Sequence, residues 1–405
     1  MTGLRVLVFF TVSALLGVSA SAQTAEENAP NRTALIAREQ EAKARTATPY
    51  QPGRVEQYFA RIEERGLPFL SPPRGLYPAL GSIYSGGGLG WGGGYRYAIG
   101  DDGAIDAHAL FSLATYKRIE TTFQSPHFSG KRLRATARAG WLDAPRVGYY
   151  GLVAEAPSTD RTAFRLRETY ADAALTWRPV KALELAGGAG RDAFDQRAGT
   201  GRSPSIETKF SSSTAPRLGE AATFTTLSGS AGLMWLESPA YSRHGGLVRW
   251  TLERYIRDRV DASFGVSRAE IVQHVPLVRE NWVISLRARA EGILGDDANA
   301  PFYLLPSLGS GSTLRAYRTG RFRDTKSLLF SGEWRWIPSP LAIDLALFVD
   351  AGNVGRHWDD ILNSRFRKDV GIGVRFHAPA ATALRVEVAR GDEGFHLVFT
   401  SGAAF

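Results

Sequence analysis

The stretch Gly311–Asp324, GSTLRAYRTGRFRD, sets four arginines against one aspartate within fourteen residues. A guanidinium is a planar fork of donors that grips a carboxylate or a phosphate through two parallel bonds. Two chemistries follow from that. One is a nucleotide or nucleic-acid site. The other is a loop folded into a polar protein interior, with carboxylates waiting on the facing wall. Acids for the second stand a few residues downstream. In LLFSGEWRW, Phe330, Gly332, Trp334 and Trp336 share one parity, which leaves Glu333 and Arg335 on the other. In AIDLALFVDAGNV, Ile343, Leu345, Leu347 and Val349 lie on one face, and Asp344, Phe348, Asp350 and Gly352 on the opposite one. A loop tucked against such strands pairs Arg315 with Asp350 and Glu333.

Other chemistries find less support. GGGLGWGGGYRY at Gly86–Tyr97 is rich in glycine but lacks the GxxxxGK[ST] order of a phosphate loop, and no helical pattern follows it. The seven histidines are scattered without HExxH or closely spaced ligand pairs, and no GxSxG elbow is present. A Ser/His pair at a rim, using His127, His244 or His274, is the catalytic arrangement left open. The expectation is a protein without catalytic residues, metal or cofactor.

The elements that position these residues start from an exported chain. Arg5, the apolar stretch Val6–Val18 and Ala20-Ser21-Ala22 form a signal peptide over residues 1–22, too short to span a bilayer as a helix. With no cysteine, the chain is not a disulfide-stapled scaffold. A net charge of +9 would suit nucleic acid or an anionic membrane surface, but export and the dispersal of arginines along strand-like segments argue against nucleic acid. Residues 23–80 read as a short, partly disordered periplasmic leader with one helix near Val55–Glu64 and a turn at Ser71–Leu80.

From Gly81 the dominant signal has period two. In NWVISLRARAEG, Trp282, Ile284, Leu286, Ala288 and Ala290 alternate with Ser285, Arg287, Arg289 and Glu291. ALRVEVARG and DVGIGVRFH repeat it, placing Arg385, Glu387, Gly371, Gly373 and Arg375 opposite the apolar side. Forty-three glycines with 9 Trp, 14 Tyr and 21 Phe suit a curved antiparallel sheet. Charges opposite the apolar face would be costly in a sandwich core but suit a wet lumen. Tryptophans such as Trp250, Trp282, Trp334 and Trp336 near strand ends suit an interfacial belt. The alternative is a soluble all-β domain with one solvated face. Fifteen strand-like segments run from Gly81–Ile99 to His396–Phe405, and Val147–Glu155 or Phe302–Ser310 supplies one more. Bacterial barrels have even strand numbers, so the expectation is an all-β, 16-stranded antiparallel transmembrane β-barrel over residues 81–405 with an inward-folded loop. The final strand ends on Phe405, and Arg202–Glu220 reads as a mobile outer loop in which Arg202, Lys209 and Arg217 could meet lipopolysaccharide.

Leu314-Arg-Ala-Tyr317, Arg321-Phe-Arg-Asp324, Glu333-Trp-Arg and Phe348-Val-Asp-Ala-Gly352 together resemble the C-terminal barrel of the bacterial surface antigen family, which includes outer-membrane assembly factors and two-partner-secretion transporters. The resemblance covers Gly81–Phe405 and is most specific over Leu314–Gly352. It implies a sixteen-stranded barrel whose loop between strands eleven and twelve folds inward, with its arginine on the aspartate of strand thirteen. Carried over, these are Arg315 and Asp350, with Glu333 on strand twelve, Tyr317 in the lock, and Arg321, Arg323, Asp324, Phe348 and Gly352 in support. Five strands follow the loop, as that layout requires. The family usually has glycine where this chain has Ala316, and its members carry periplasmic repeat domains that residues 23–80 are too short to form. In the family the seam between first and last strands is where lateral opening is thought to occur. That makes Gly86, Gly87, Gly88, Gly92, Gly93, Gly94 and Phe405 candidates for a weak seam, against plain sheet curvature. The implied role is insertion or translocation of proteins or lipids at the bacterial outer membrane. Implied partners are outer-membrane lipid and lipopolysaccharide, and an unfolded barrel-protein client or a periplasmic accessory protein. A passive channel and a surface-exposed binding module are the alternatives.

Overall fold

The computed structural model describes residues 74–400, apart from 153–155, 238–240, 261, 279–280, 339–342 and 379–380. The signal peptide, the helix near Val55–Glu64, the leader up to residue 73 and Phe405 lie outside the described residues. Sixteen strands form one sheet in chain order, each antiparallel to its neighbour, and the sheet curls almost to closure as a barrel. They are β1 (Arg74–Ser82), β2 (Leu89–Ile99), β3 (Gly103–Ser112), β4 (Lys117–Gln124), β5 (Leu133–Tyr149) and β6 (Thr162–Val180). Next come β7 (Leu183–Ala198), β8 (Ala222–Met234), β9 (Gly245–Arg257), β10 (Ser263–Val278) and β11 (Trp282–Gly295). The last five are β12 (Lys326–Trp336), β13 (Ile343–Gly355), β14 (Arg367–Ala378), β15 (Ala381–Gly391) and β16 (Gly394–Thr400). Among the described residues no ladder joins β1 to β16, so the seam lies there.

The sixteenth strand arises where the sequence pattern merged two. Gly81–Ile99 is not one bent strand: a turn at 83–88 separates β1 from β2, with Gly86 at φ 84° and Gly88 at φ 72°. A left-handed backbone is open to glycine without a Cβ clash, so these glycines mark a chain reversal. Val147–Tyr149 extends β5, and Phe302–Leu304 is a single 3-10 turn. The segment read as an entry turn, Ser71–Leu80, instead supplies most of β1 from Arg74 onward. Pro78 is tolerated there because prolines in sheets are confined to edge strands, where no second ladder needs the missing N–H.

Period-two alternation sorts the two faces. Leu286 and Ile372 are 52% and 61% exposed, whereas Arg287 and Arg385 are 8% and 1% exposed. On the outer face Trp282 stacks on Trp334 at 4.7 Å and on Trp336 at 5.6 Å between ring centroids. This ring of indoles sits at the end of the sheet where β1 begins and β16 ends. Connections at that end are short, as at 100–102 and 181–182, whereas 199–221, 296–325 and 356–366 crowd the opposite end. Long loops mark the extracellular side of such barrels.

Beneath those long loops the lumen is filled by an apolar cluster that includes Tyr149, Phe164, Phe224, Phe264, Phe302 and Tyr303. The Arg202–Glu220 segment, expected to be a mobile outer loop, is folded into it. Ile206 and Ala215 are fully buried, and Tyr149 Oη donates to Thr214 O at 2.5 Å. Phe302 N donates to Pro216 O at 2.9 Å. Ile206, Phe210, Ala215 and Leu218 pack on the aromatic cluster and anchor this otherwise polar run. Arg217 Nε donates to Ala298 O and Lys209 pairs with Asp160, while Arg202 is exposed.

Candidate functional site

Strand register builds the site. Glu333 on β12 stands opposite Phe348 on β13, and Phe348 stands opposite Gly371 on β14. One step along, Asp350 is opposite Asp369, and Gly373 on β14 is opposite Glu387 on β15. All share the lumen-facing parity. Two glycines are needed for the packing. A Cβ on Gly371 would lie 2.3 Å from Phe348 Cζ, and one on Gly373 would lie 2.6 Å from Glu387 Cγ. The wall therefore has hollows into which a ring and a carboxylate fold.

The connection 296–325 descends against this wall. Its neck is closed by a two-residue ladder of Ser307–Leu308 with Phe322–Arg323. Its bend is fixed by Gly309 N donating to Thr313 Oγ1 at 3.0 Å and Thr313 N donating to Ser310 O at 3.2 Å. Leu314, Tyr317, Phe322 and Leu308 pack with Leu329 and Phe348 of the wall. Arg315 is 2% exposed and spends every donor nitrogen on an acid. Nε and Nη2 donate to Asp350 Oδ2 at 2.7 Å and Oδ1 at 3.0 Å, a two-bond grip. Nη1 donates to Glu333 Oε1 at 2.7 Å and to Glu387 Oε1 at 3.3 Å. The guanidinium carbon lies 3.5 Å above the Phe348 ring centroid, a cation–π contact.

A second tier neutralises the excess acid. Arg375 Nη2 donates to Glu333 Oε2 at 2.5 Å, and Arg385 Nη1 donates to Glu387 Oε1 at 3.2 Å. Three arginines thus match Glu333, Asp350 and Glu387 one for one, as burial demands, while a fourth buried acid, Asp369, stands beside Asp350. Ala316 N donates to Asp369 Oδ2 at 3.1 Å. Ala316 is not among the residues with positive φ, so this bend does not need the glycine usual at that position.

The remaining loop residues spread outward. Tyr317 Oη donates to Lys368 O at 3.2 Å and accepts from Asp392 N at 3.2 Å. Arg321 reaches Glu393 Oε1 at 2.6 Å and Ala156 O at 2.7 Å, which ties the β15–β16 turn to the β5–β6 connection. Arg323 donates to Phe302 O at 2.6 Å, and burial pushes its guanidinium below the ordinary arginine range. Asp324 stays local: its Oδ1 accepts from Thr325 N at 2.7 Å, and burial raises its carboxyl. Gly352 makes room for the loop, since a Cβ there would lie 2.8 Å from Leu308 Cδ1. Register thus collects Arg315, Glu333, Phe348, Asp350 and Gly352 at one spot, while Arg321, Arg323 and Asp324 serve other parts of the loop.

The candidate seam glycines do not share a place. Gly86, Gly87 and Gly88 belong to the β1–β2 turn, and Gly92, Gly93 and Gly94 to β2, which is laddered on both sides by β1 and β3. None lies on an edge strand. The rim histidines are also dispersed. His274 is buried, with Nδ1 2.7 Å from Ser285 Oγ and 3.3 Å from Arg335 Nη2, whereas His127 contacts Asp102 and His244 lies 3.6 Å from Glu237. Among the described residues no group of three or more His, Cys, Asp or Glu side chains is placed to hold a metal.

The family model of the Omp85 superfamily domain matches residues 104–405. The chain belongs to the Omp85 superfamily. No curated protein matches this Omp85 barrel by sequence. Among solved structures, BamA from Haemophilus ducreyi lacking POTRA domains 1–3 aligns with a TM-score of 0.57 and 15% identity, over 86% of this chain and 77% of that one. CdiB from Acinetobacter baumannii aligns at 11% identity with a TM-score of 0.47, over 81% of this chain and 58% of that one. The BamA likeness is one of fold. This Omp85 chain is thus an outer-membrane protein that crosses the bilayer with strands.

Sequence reasoning did not bring Glu387, Arg375, Arg385, Asp369 or His396 to Arg315. Parity already put Arg375, Arg385 and Glu387 in the lumen. What was missing was the register of β14 and β15 against β13, which hydrophobic alternation leaves free to slip by two residues. His396, whose Nδ1 donates to Arg315 O at 3.0 Å, carried no signal beyond its parity.

Proposed function

We propose that this Omp85 barrel works in the insertion or translocation of proteins, or of lipids, at the bacterial outer membrane. The observation that carries the reading is the seam, where β1 and β16 share no ladder among the described residues. An edge strand offers a row of unpaired N–H and C=O groups, a template on which an extended client segment can add. Such addition lowers the barrier for a strand entering from the side, and it needs no covalent chemistry. In this reading the Arg315 cluster is a lock that keeps the lumen loop seated.

The partners that fit are an unfolded barrel protein at the seam and an accessory protein on the periplasmic side. Lipid and lipopolysaccharide surround the outer wall. A passive channel fits less well, because the arginine loop and the aromatic cluster both occupy the lumen. The test is reconstitution of the purified protein in liposomes with a urea-unfolded barrel protein added. Assembly of the client should run faster than in empty liposomes, and equal rates would overturn the reading.

A further inference from the structure

One inward row of side chains crosses the first six strands, and the Arg315 lock takes no part in it. In register it reads Tyr77 on β1, Gly94 on β2, His108 on β3, Glu120 on β4, Gly140 on β5 and Tyr170 on β6. The two tyrosines are mirror images. Tyr77 lies across Gly94, where a Cβ would be 2.4 Å from its Cζ, and its hydroxyl reaches both oxygens of Asp106 on β3, at 2.7 and 2.8 Å. Tyr170 lies across Gly140, where a Cβ would be 2.6 Å from its Oη, and donates to Glu120 Oε2 on β4 at 2.5 Å. His108 stands between the two acids, with Nδ1 3.1 Å from Asp106 Oδ1 and Nε2 3.8 Å from Glu120 Oε1. Each tyrosine thus skips one strand, passes over a glycine and fastens to the strand beyond.

The two clamps differ in what they hold. β6 has a full ladder on each side, with β5 and β7. Among the described residues β1 has one ladder, with β2. Its inward residues are Gly75, Tyr77, Ala79 and Gly81, so Tyr77 is the polar side chain that anchors this strand from the lumen. We propose that the Tyr77–Asp106 contact across Gly94 is a latch that holds β1 at the seam, and that Tyr77 is a positioning residue for strand addition there. The latch itself is a statement about β1 alone; its use in client handling rests on the proposed insertion role.

Hydrogen exchange of the full chain in lipid nanodiscs tests it. Tyr77→Phe keeps the ring over Gly94 and deletes the hydroxyl. One hydrogen bond to a carboxylate is worth enough for amides in 74–82 to exchange about tenfold faster or more. Amides of β9 and β10 should keep their wild-type rates, which also reports that the barrel is folded. Tyr170→Phe, the same change on a doubly laddered strand, should leave both β6 and β1 unchanged. Wild-type exchange of 74–82 in Tyr77→Phe would overturn the latch, as would equal acceleration of β6 in Tyr170→Phe. A client-assembly assay on the same variant reads the insertion role separately: faster β1 exchange with no assisted assembly by either protein would refute that role and leave the latch standing.

Discussion

Arg315 is held by geometry as much as by charge. Its fork takes both oxygens of Asp350, its third nitrogen bridges Glu333 and Glu387, and its flat face rests on Phe348. Asp350→Ala removes both acceptors of the fork and leaves a buried guanidinium short of one anion. Breaking a buried pair from one side costs about 3–5 kcal/mol. The temperature at which the folded band is lost in a heat-modifiability gel should fall, and an unchanged transition would show that the pair carries no stability. Arg315→Lys keeps the charge but loses the two-bond grip and the stacking, so it should behave closer to Asp350→Ala than to wild type. Ala316→Gly should bring no gain, since the bend at Ala316 uses ordinary φ and glycine adds unfolded-state entropy of about 0.5–1 kcal/mol.

At the scale of elements, β14 decides whether the lock fits. Gly371 and Gly373 are hollows, and β13 and β15 fill them with Phe348 and Glu387. In Gly371→Ala the new Cβ would lie 2.3 Å from Phe348 Cζ and 2.3 Å from Val388 O, and the second of these is backbone that cannot swing away. Phe348 must then move, and Arg315 loses its seat. The chain has no cysteine, so one introduced at Ser312 reports on the loop alone. Maleimide labelling of that cysteine should be faster in Gly371→Ala than in the parent, and equal rates would mean the loop does not depend on the hollow. The same freedom from cysteine allows nitroxides at Leu286 and Val386, one on each of two wall strands. Both should sense hydrocarbon in reconstituted membranes; water at both would refute the placement of lipid and lumen.

For the whole molecule, the lumen is obstructed at two levels. The aromatic cluster fills it under the extracellular connections, and the arginine loop rests on the wall of β12–β15. The protein in planar bilayers should therefore conduct little. Removal of residues 311–324 takes away the arginine loop and also Arg323, whose bond to Phe302 O helps hold the aromatic layer, so it should raise conductance; a wild-type current as large as that of the deletion would show that the loop does not obstruct the pore. Arg321 adds a link across the barrel, from Glu393 in the last hairpin to Ala156 beside β5. Through such contacts the loop braces β16 from inside, as Tyr77 braces β1.

Alternation in NWVISLRARAEG, ALRVEVARG and DVGIGVRFH was enough to assign strands and to say which side chains leave the bilayer, because a strand's two faces repeat every two residues whatever its partners. The grouping of Arg315 with Asp350 and Glu333 was legible for the same reason, helped by motif spacing. The turn at Gly86–Gly88 was not, since glycine in a strand and glycine in a chain reversal look alike until φ is known. Nor was the fold of Arg202–Glu220, whose Ile206 and Ala215 have meaning only beside aromatic residues brought in from five strands. Pairing across strands depends on register, which shifts in steps of two without moving any residue from lipid to lumen. Sequence therefore determined the faces of the wall, and only the tertiary structure decided which charges meet, which glycines lie beneath which rings, and which residues flank the seam.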